Sequence, residues 1–350
     1  MSDLIGQAVQ TLKSGHLVGI PTETVYGLAA DAANPIAINK IFATKGRPTG
    51  HPLIVHIAKP ILENLKQEEK YAAWEKQLAL WARDVPAEAL LLAEVFWPGP
   101  LTIILPKAKN VLSEITGGQE TVGIRCPNHP VALELLRRFD GGLAAPSANR
   151  FGHVSPTTAE HVQEEFPGLL VLDGGACEVG IESTIVDLSR LDTVGPTILR
   201  PGAISQEQIH EVLSATLNLI TPLEVRSTTT STQATPRVSG SLSAHYAPKT
   251  KLVLYRDDMS LNNDVIKQAK KIAWVHLDDG KKLVDKPVSS YIEFVIPNNP
   301  VELAKALYAT LRSLDKSDYD LIFFQAPPLG SEWDAVRDRL SRAAVGSGVI

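Results

Sequence analysis

The chain has 350 residues, 44% hydrophobic and 21% charged, with a formal net charge of −5. That is the balance of an ordinary soluble protein of about two domains. Its longest uncharged apolar stretches, such as Ala89–Ala93 and Leu101–Leu105, fall far short of the roughly 20 residues that a bilayer-spanning helix requires. No cationic segment leads into an apolar run after Met1-Ser2-Asp3-Leu4, so a cytoplasmic protein with no membrane contact is expected. The two cysteines, Cys126 and Cys177, lack zinc-finger spacing and are expected as buried small apolar side chains, with no metal site. Residues 1–215 hold 17 basic against 24 acidic side chains, a charge of −7, which disfavours bulk attraction to nucleic acid and requires any anion site there to be local.

Along the chain, Leu4, Ile5, Ala8, Val9 and Leu12 fall on one helical face, with Gly15 as the stop, and His16–Ile20 reads as a strand. Asn34-Pro35 places a cap residue before a proline tolerated in a first turn. Ile38, Ile41 and Phe42 then carry a helical stripe to Gly46, so the basic group Lys45–Arg47 sits at a helix end. Aliphatic or β-branched runs follow at Leu53–Ile57, Leu101–Leu105, Thr121–Arg125, Leu169–Leu172, Ser183–Leu188 and Thr197–Leu199. These strands do not alternate one for one with helices, which predicts an open α/β sheet of mixed strand direction. From about Val225 to Gly240 the Ser/Thr-rich composition reads as a linker. Strands at Lys251–Tyr255, Lys271–Val275, Tyr291–Ile296 and Leu321–Phe324, with helices at Val301–Leu314 and Trp333–Ala344, predict a second, smaller α/β domain.

Neither a phosphate-binding G-x-x-x-x-G-K-S/T loop nor a dinucleotide fingerprint is found. The informative stretches are Pro21-Thr22-Glu23-Thr24-Val25-Tyr26-Gly27-Leu28, Lys45-Gly46-Arg47-Pro48, His51-Pro52-Leu53-Ile54-Val55-His56-Ile57, Trp97-Pro98-Gly99-Pro100-Leu101-Thr102, Thr121-Val122-Gly123-Ile124-Arg125, Pro146-Ser147-Ala148-Asn149, Gly180-Ile181-Glu182-Ser183-Thr184 and Arg200-Pro201-Gly202. Each combines hydroxyl, cationic and glycine residues next to an element end, as a site gathering several anions at sheet ends would. Taken singly each also fits a structural role: Thr24 as a turn cap, His56 as a satisfied half-buried histidine, Ser183 as a strand-edge hydroxyl.

Together these stretches resemble the YrdC-type L-threonylcarbamoyladenylate synthases in their long two-domain form, with Lys45, Arg47, Ser147 and Asn149 matching the family signature and Ser243-Ala244-His245-Tyr246-Ala247-Pro248 a linker motif. The resemblance implies an open twisted mixed sheet of the YrdC type with flanking helices, plus a smaller C-terminal Rossmann-like α/β domain. It divides the chain into a catalytic domain at 1–215, a linker over the active site at 216–248 and the second domain at 249–350. It implies condensation of L-threonine, bicarbonate and ATP to threonylcarbamoyladenylate and pyrophosphate, for modification of tRNA beside the anticodon.

By the same resemblance Lys45, Arg47, Ser147 and Asn149 are catalytic. Arg47, His51, Thr121, Ser147, Ser155, Arg200 and Tyr246 surround ATP, with Tyr246 as a lid, and Thr24, His56, Arg125, Ala145 and Ser183 surround threonine. His51 stands where many relatives have asparagine. ATP is a substrate rather than a resident cofactor, magnesium arrives on its phosphates, and threonylcarbamoyl-transferase proteins act downstream, with tRNA contact left open. Two alternatives stand beside this one. A module that binds double-stranded RNA or tRNA without catalysis is disfavoured by the acidic first part. The related carbamoyl-transfer domain of hydrogenase-maturation proteins is disfavoured by the lack of Cys-x-x-Cys modules.

Overall fold

A computed structural model of the chain describes residues 2–217, 224–225, 235–256, 268–278 and 291–348. It divides into two compact units: Met1–Arg150 with Pro156–Glu178 and Glu182–Ser241, and Phe151–Ser155 with Val179–Ile181 and Leu242–Ile350.

The first unit begins with helix Ser2–Lys13, whose Ile5, Ala8, Val9 and Leu12 pack with Val18, Ile20, Leu135 and Leu136. Leu4, expected on that face, is exposed, because the buried stripe turns away from it at the helix start. Asn34 caps helix Pro35–Lys45 by accepting from the amides of Ile36 and Ala37, and Gly46 (φ 64°) ends it in the left-handed region. The strands in chain order are β1 (Val18–Ile20), β2 (Gly27–Asp31), β3 (Ile54–His56), β4 (Leu101–Pro106), β5 (Thr121–Arg125), β6 (Leu143–Ala144), β7 (Thr184–Asp187), β8 (Thr197–Arg200) and β9 (Glu224–Val225).

Among the described residues these form a nine-stranded sheet in the order β1-β2-β6-β3-β5-β4-β7-β8-β9. The β3–β5, β4–β7 and β8–β9 pairs are parallel and the other neighbours antiparallel, as the mixed-sheet expectation required. The central strand β4 is buried at every residue but the last, so both its faces are covered and its apolar run is continuous rather than alternating. Leu101, Ile103, Leu105 and Ile124 lie in the main core with Trp74 and Trp97, each buried aliphatic contributing about 1.5–3 kcal/mol.

Leu169–Leu172 is not a strand. Only Val171 bridges, to Gly19 of β1, because the run is enclosed by turns, with Gly168 and Gly175 both at positive φ. Most of the Ser/Thr-rich tract, residues 226–234, lies outside the described residues. Its end is anchored on the first unit: Val238 is buried with Ile104 and Ile185, the Arg237 amide donates to Gln119 Oε1 at 2.6 Å, and Arg237 Nη2 donates to Gly117 O at 2.7 Å.

The second unit holds β10 (Lys251–Tyr255), β11 (Ile272–Leu277), β12 (Tyr291–Ile296) and β13 (Leu321–Gln325). All pair in parallel in the order β10-β13-β11-β12, with helices Pro300–Asp315 and Asp334–Gly346. This is the Rossmann-like arrangement expected. Its core stacks Tyr255 on Phe323 at 4.2 Å between ring centroids, and Trp274 Nε1 donates to Tyr255 OH at 2.8 Å, which satisfies two buried polar atoms inside an apolar layer.

Candidate active site

Strand register brings the first candidates together. His56 and Arg125 end the parallel strands β3 and β5 as direct partners, and β8, which runs the same way, ends at Arg200. Thr102 and Ser183 stand at the starts of β4 and β7, which run the opposite way. A single edge of the sheet therefore carries two guanidinium groups, an imidazole and two hydroxyls.

Arg125 is buried and held by two hydrogen bonds and an ion pair, while Nη2 has no hydrogen-bond partner among the described residues. Nε donates to Gly99 O at 3.2 Å, Nη1 to Thr24 Oγ1 at 2.8 Å, and Nη2 lies 2.7 Å from Glu23 Oε1. The turn cap in this stretch is Thr22 rather than Thr24. Its hydroxyl donates to Val25 O at 2.6 Å and accepts from the Thr24 and Val25 amides at 3.2 Å each, leaving the Thr24 hydroxyl to meet Arg125. Burial, and then the neighbouring Arg125 cation, push the His56 pKa down to about 3, so the ring is neutral at physiological pH. Ala145 is buried and its amide donates to Ile54 O at 3.2 Å.

Lys45 closes helix Pro35–Lys45 with its ammonium inside the protein, donating to Ser147 O at 2.5 Å and to Asn149 O. Its side chain thereby pins the Ser147–Asn149 segment, and Asn149 Nδ2 donates to Arg150 O at 2.7 Å. Burial, reinforced by Arg47, pushes the Lys45 pKa well below the usual lysine range, against the opposing pull of Glu165 and Glu182. Arg47 Nη2 donates to Pro52 O at 2.9 Å and to Ser239 Oγ at 3.4 Å.

Arg200 is anchored by the same serine. Its Nη1 donates to Ser239 O at 2.8 Å, while Nε and Nη2 reach Ser183 O at 3.0 and 2.8 Å and Nη2 reaches Ser183 Oγ at 3.0 Å. The Ser183 hydroxyl also meets Thr102 Oγ1 at 2.8 Å. His51 is half-buried, its imidazolium disfavoured by burial and by Arg47 and Arg237. Thr121, also half-buried, opens β5 opposite Pro106.

Two expected nucleotide residues lie in the second unit. Ser155 is buried and its carbonyl accepts from Arg312 Nε at 3.3 Å. Tyr246 is 1% exposed, with His245 edge-on at 4.1 Å, Tyr308 stacked at 5.7 Å and the Arg339 guanidinium 5.4 Å from its ring centroid. Its φ of 59° is a conformation that bulky residues adopt only when their surroundings impose it.

Glu23, Thr102 and Ser239 carried no assigned role in the sequence, although Thr22-x-Thr24 is the spacing of a hydroxyl-capped turn. Among the described residues no group of three or more His, Cys, Asp or Glu is placed to hold a metal, and no helix is long and apolar enough to cross a membrane.

The family profile described as "Telomere recombination" matches residues 10–202, and that described as "Threonylcarbamoyl-AMP synthase, C-terminal domain" matches residues 204–345. The threonylcarbamoyl-AMP synthase of Pyrococcus abyssi is 35% identical over 95% of this chain and 92% of its own length. The chain belongs to the threonylcarbamoyl-AMP synthase family. The Bacillus subtilis member is also 35% identical, over 98% of this chain and 93% of its own. The crystal structure of P. abyssi Sua5 complexed with L-threonine superposes with a TM-score of 0.79 at 33% identity, covering 98% of this chain and 94% of that one. The family resemblance and the fold expected from the sequence both hold.

Proposed function

We propose that this threonylcarbamoyl-AMP synthase family member condenses L-threonine, bicarbonate and ATP to L-threonylcarbamoyladenylate and pyrophosphate, supplying the modification of tRNA beside the anticodon. The observation that carries this is the set of buried basic side chains, Lys45, Arg47, Arg125 and Arg200, held by backbone carbonyls and hydroxyls. Threonine carboxylate, carbamate and triphosphate are all anions, and bringing them together is chiefly a matter of positioning and charge neutralisation. Cations already fixed in place lose little further freedom on binding.

In this reading Arg125 and Thr24 hold the threonine carboxylate, and neutral His56, Ser183 and the Ala145 backbone enclose the rest of the amino acid. Arg47, Arg200, Ser147 and Asn149 face the phosphates, with Lys45 holding Ser147 and Asn149 in place, and His51 and Thr121 lie beside the nucleotide. The carbamate oxygen attacks the α-phosphorus and pyrophosphate leaves. Magnesium enters on the ATP phosphates, bound by them and by water. Catalysis belongs to residues 1–215, residues 216–248 are the connecting segment that supplies Ser239, and residues 249–350 form a separate module. The adenylate passes to threonylcarbamoyl-transferase proteins in the cytoplasm.

The test is incubation with ATP, labelled bicarbonate and L-threonine, following pyrophosphate release and the labelled adenylate by mass spectrometry. Product that needs all three substrates and is lost in Arg47→Ala is the expected result. No product, with tight and strongly salt-dependent binding to double-stranded RNA instead, overturns the proposal.

A further inference from the structure

Glu23 is 4% exposed. Oε1 lies 2.7 Å from Arg125 Nη2 as an ion pair, and neither carboxylate oxygen has a hydrogen-bond partner among the described residues. Buried carboxylates ordinarily accept several hydrogen bonds, and an unsatisfied one is costly. Arg125 meets it only as an ion pair at Oε1, since Nε and Nη1 donate to Gly99 and Thr24. The pair is a buried dipole with its cationic end at the guanidinium proposed to hold the threonine carboxylate. An amino acid is the complementary dipole: its carboxylate matches Arg125, and its ammonium matches a carboxylate with a lone-pair side to spare.

We infer that Glu23 receives the α-ammonium group of threonine and takes up one of its protons as the carbamate forms, an inference that rests on the threonine site proposed above.

The neighbouring groups leave this role to Glu23. His56 is a weak base at about 3. Lys45 Nζ is turned to the Ser147 and Asn149 carbonyls. The Cys126 and Cys177 thiols are kept protonated by burial first and by the Glu23 charge second, Cys177 at about 12. The step balances. The ammonium passes one proton to Glu23, and the freed nitrogen lone pair forms the C–N bond to bicarbonate carbon. The departing hydroxide takes the second nitrogen proton and leaves as water, giving the carbamate anion and a protonated Glu23.

The test is calorimetric titration of wild-type protein and Glu23→Gln with L-threonine and with 3-hydroxybutyrate, which keeps the carboxylate and hydroxyl but has no amine. Wild type is expected to prefer threonine by at least about tenfold, and Glu23→Gln to lose that preference by weakening threonine alone. Pyrophosphate release at saturating threonine is expected to fall in Glu23→Gln by about a hundredfold or more. Equal weakening of both compounds, showing that Glu23 acts only by orienting Arg125, overturns the inference, as does unchanged turnover. If Glu23→Gln does not fold, the wild-type comparison decides: equal affinity for the two compounds overturns the inference while leaving the threonine site standing. Binding of neither compound to wild type overturns the site itself.

Discussion

Acid should destabilise this protein through His56. An imidazole held near a pKa of about 3 in the folded chain and near 6.5 in the unfolded one gives stability that is complete above pH ~6.5 and is lost as pH falls toward the folded value. Between about pH 7 and pH 4 the unfolded histidine gains its proton while the folded one stays neutral. At about 1.4 kcal/mol per pH unit over roughly 2.5 units, this removes about 3 kcal/mol. The ring is fully enclosed, with Arg125 as its strand partner, so solvent screening takes little from this figure. His56→Gln has no titrating group and should not suffer this loss. Urea denaturation of both proteins at the two pH values gives four stabilities, and the difference of differences isolates the residue from every carboxylate that also titrates in this range. A value below about 0.5 kcal/mol would refute the reasoning, because it would mean that the buried imidazole takes up its proton as readily as an exposed one.

Two other substitutions probe the same edge of the sheet. Arg125→Lys keeps the charge, but one ammonium cannot reach Gly99 O, Thr24 Oγ1 and Glu23 together. It should cost roughly 2–4 kcal/mol in thermal or urea unfolding and raise the KM for threonine more than that for ATP. At Gly202 an added Cβ would sit 2.3 Å from the Thr184 amide nitrogen and 2.8 Å from Glu182 O, contacts with backbone that cannot swing aside. Gly202→Ala should therefore lose about 1–3 kcal/mol and, by moving Ser183, lower kcat/KM in the coupled assay.

Much of the fold was legible because local signals and burial agree. Asn34-Pro35 and Gly46 mark one helix at both ends, and Thr121–Arg125, Lys251–Tyr255 and Tyr291–Ile296 are strands with the bounds their apolar runs suggest. The strand β2 was missed because Gly-Leu-Ala-Ala-Asp has no β-branched residue. Small side chains are needed there, since a Cβ on Gly27 would lie 3.1 Å from that of Ala145. Leu169–Leu172 failed in the opposite way, being apolar enough for a strand but paired through one residue. In the site, the arginines stood out by motif while their partners did not. Glu23 is tied to a residue about a hundred positions away, and Ser239 lies in a tract whose composition resembles a tether. Pairings of that range depend on register and topology, which short-range patterns do not encode.

The hold of Ser239 on Arg47 spans 192 positions of sequence, and this has a consequence for how the protein comes into being on the ribosome. Segments of a growing chain fold as they emerge, at roughly 5–20 residues per second. Both Arg47 and Arg200 precede the serine that completes their environment, so a nascent chain that has extruded every strand through β8 still lacks one of the acceptors of each guanidinium. The last local piece of the catalytic unit is thus made after its core, and long-range closures of this kind are the slow part of folding. Ribosome-stalled chains ending before and after this serine would differ in the order of these two side chains, although the sheet beneath them is the same.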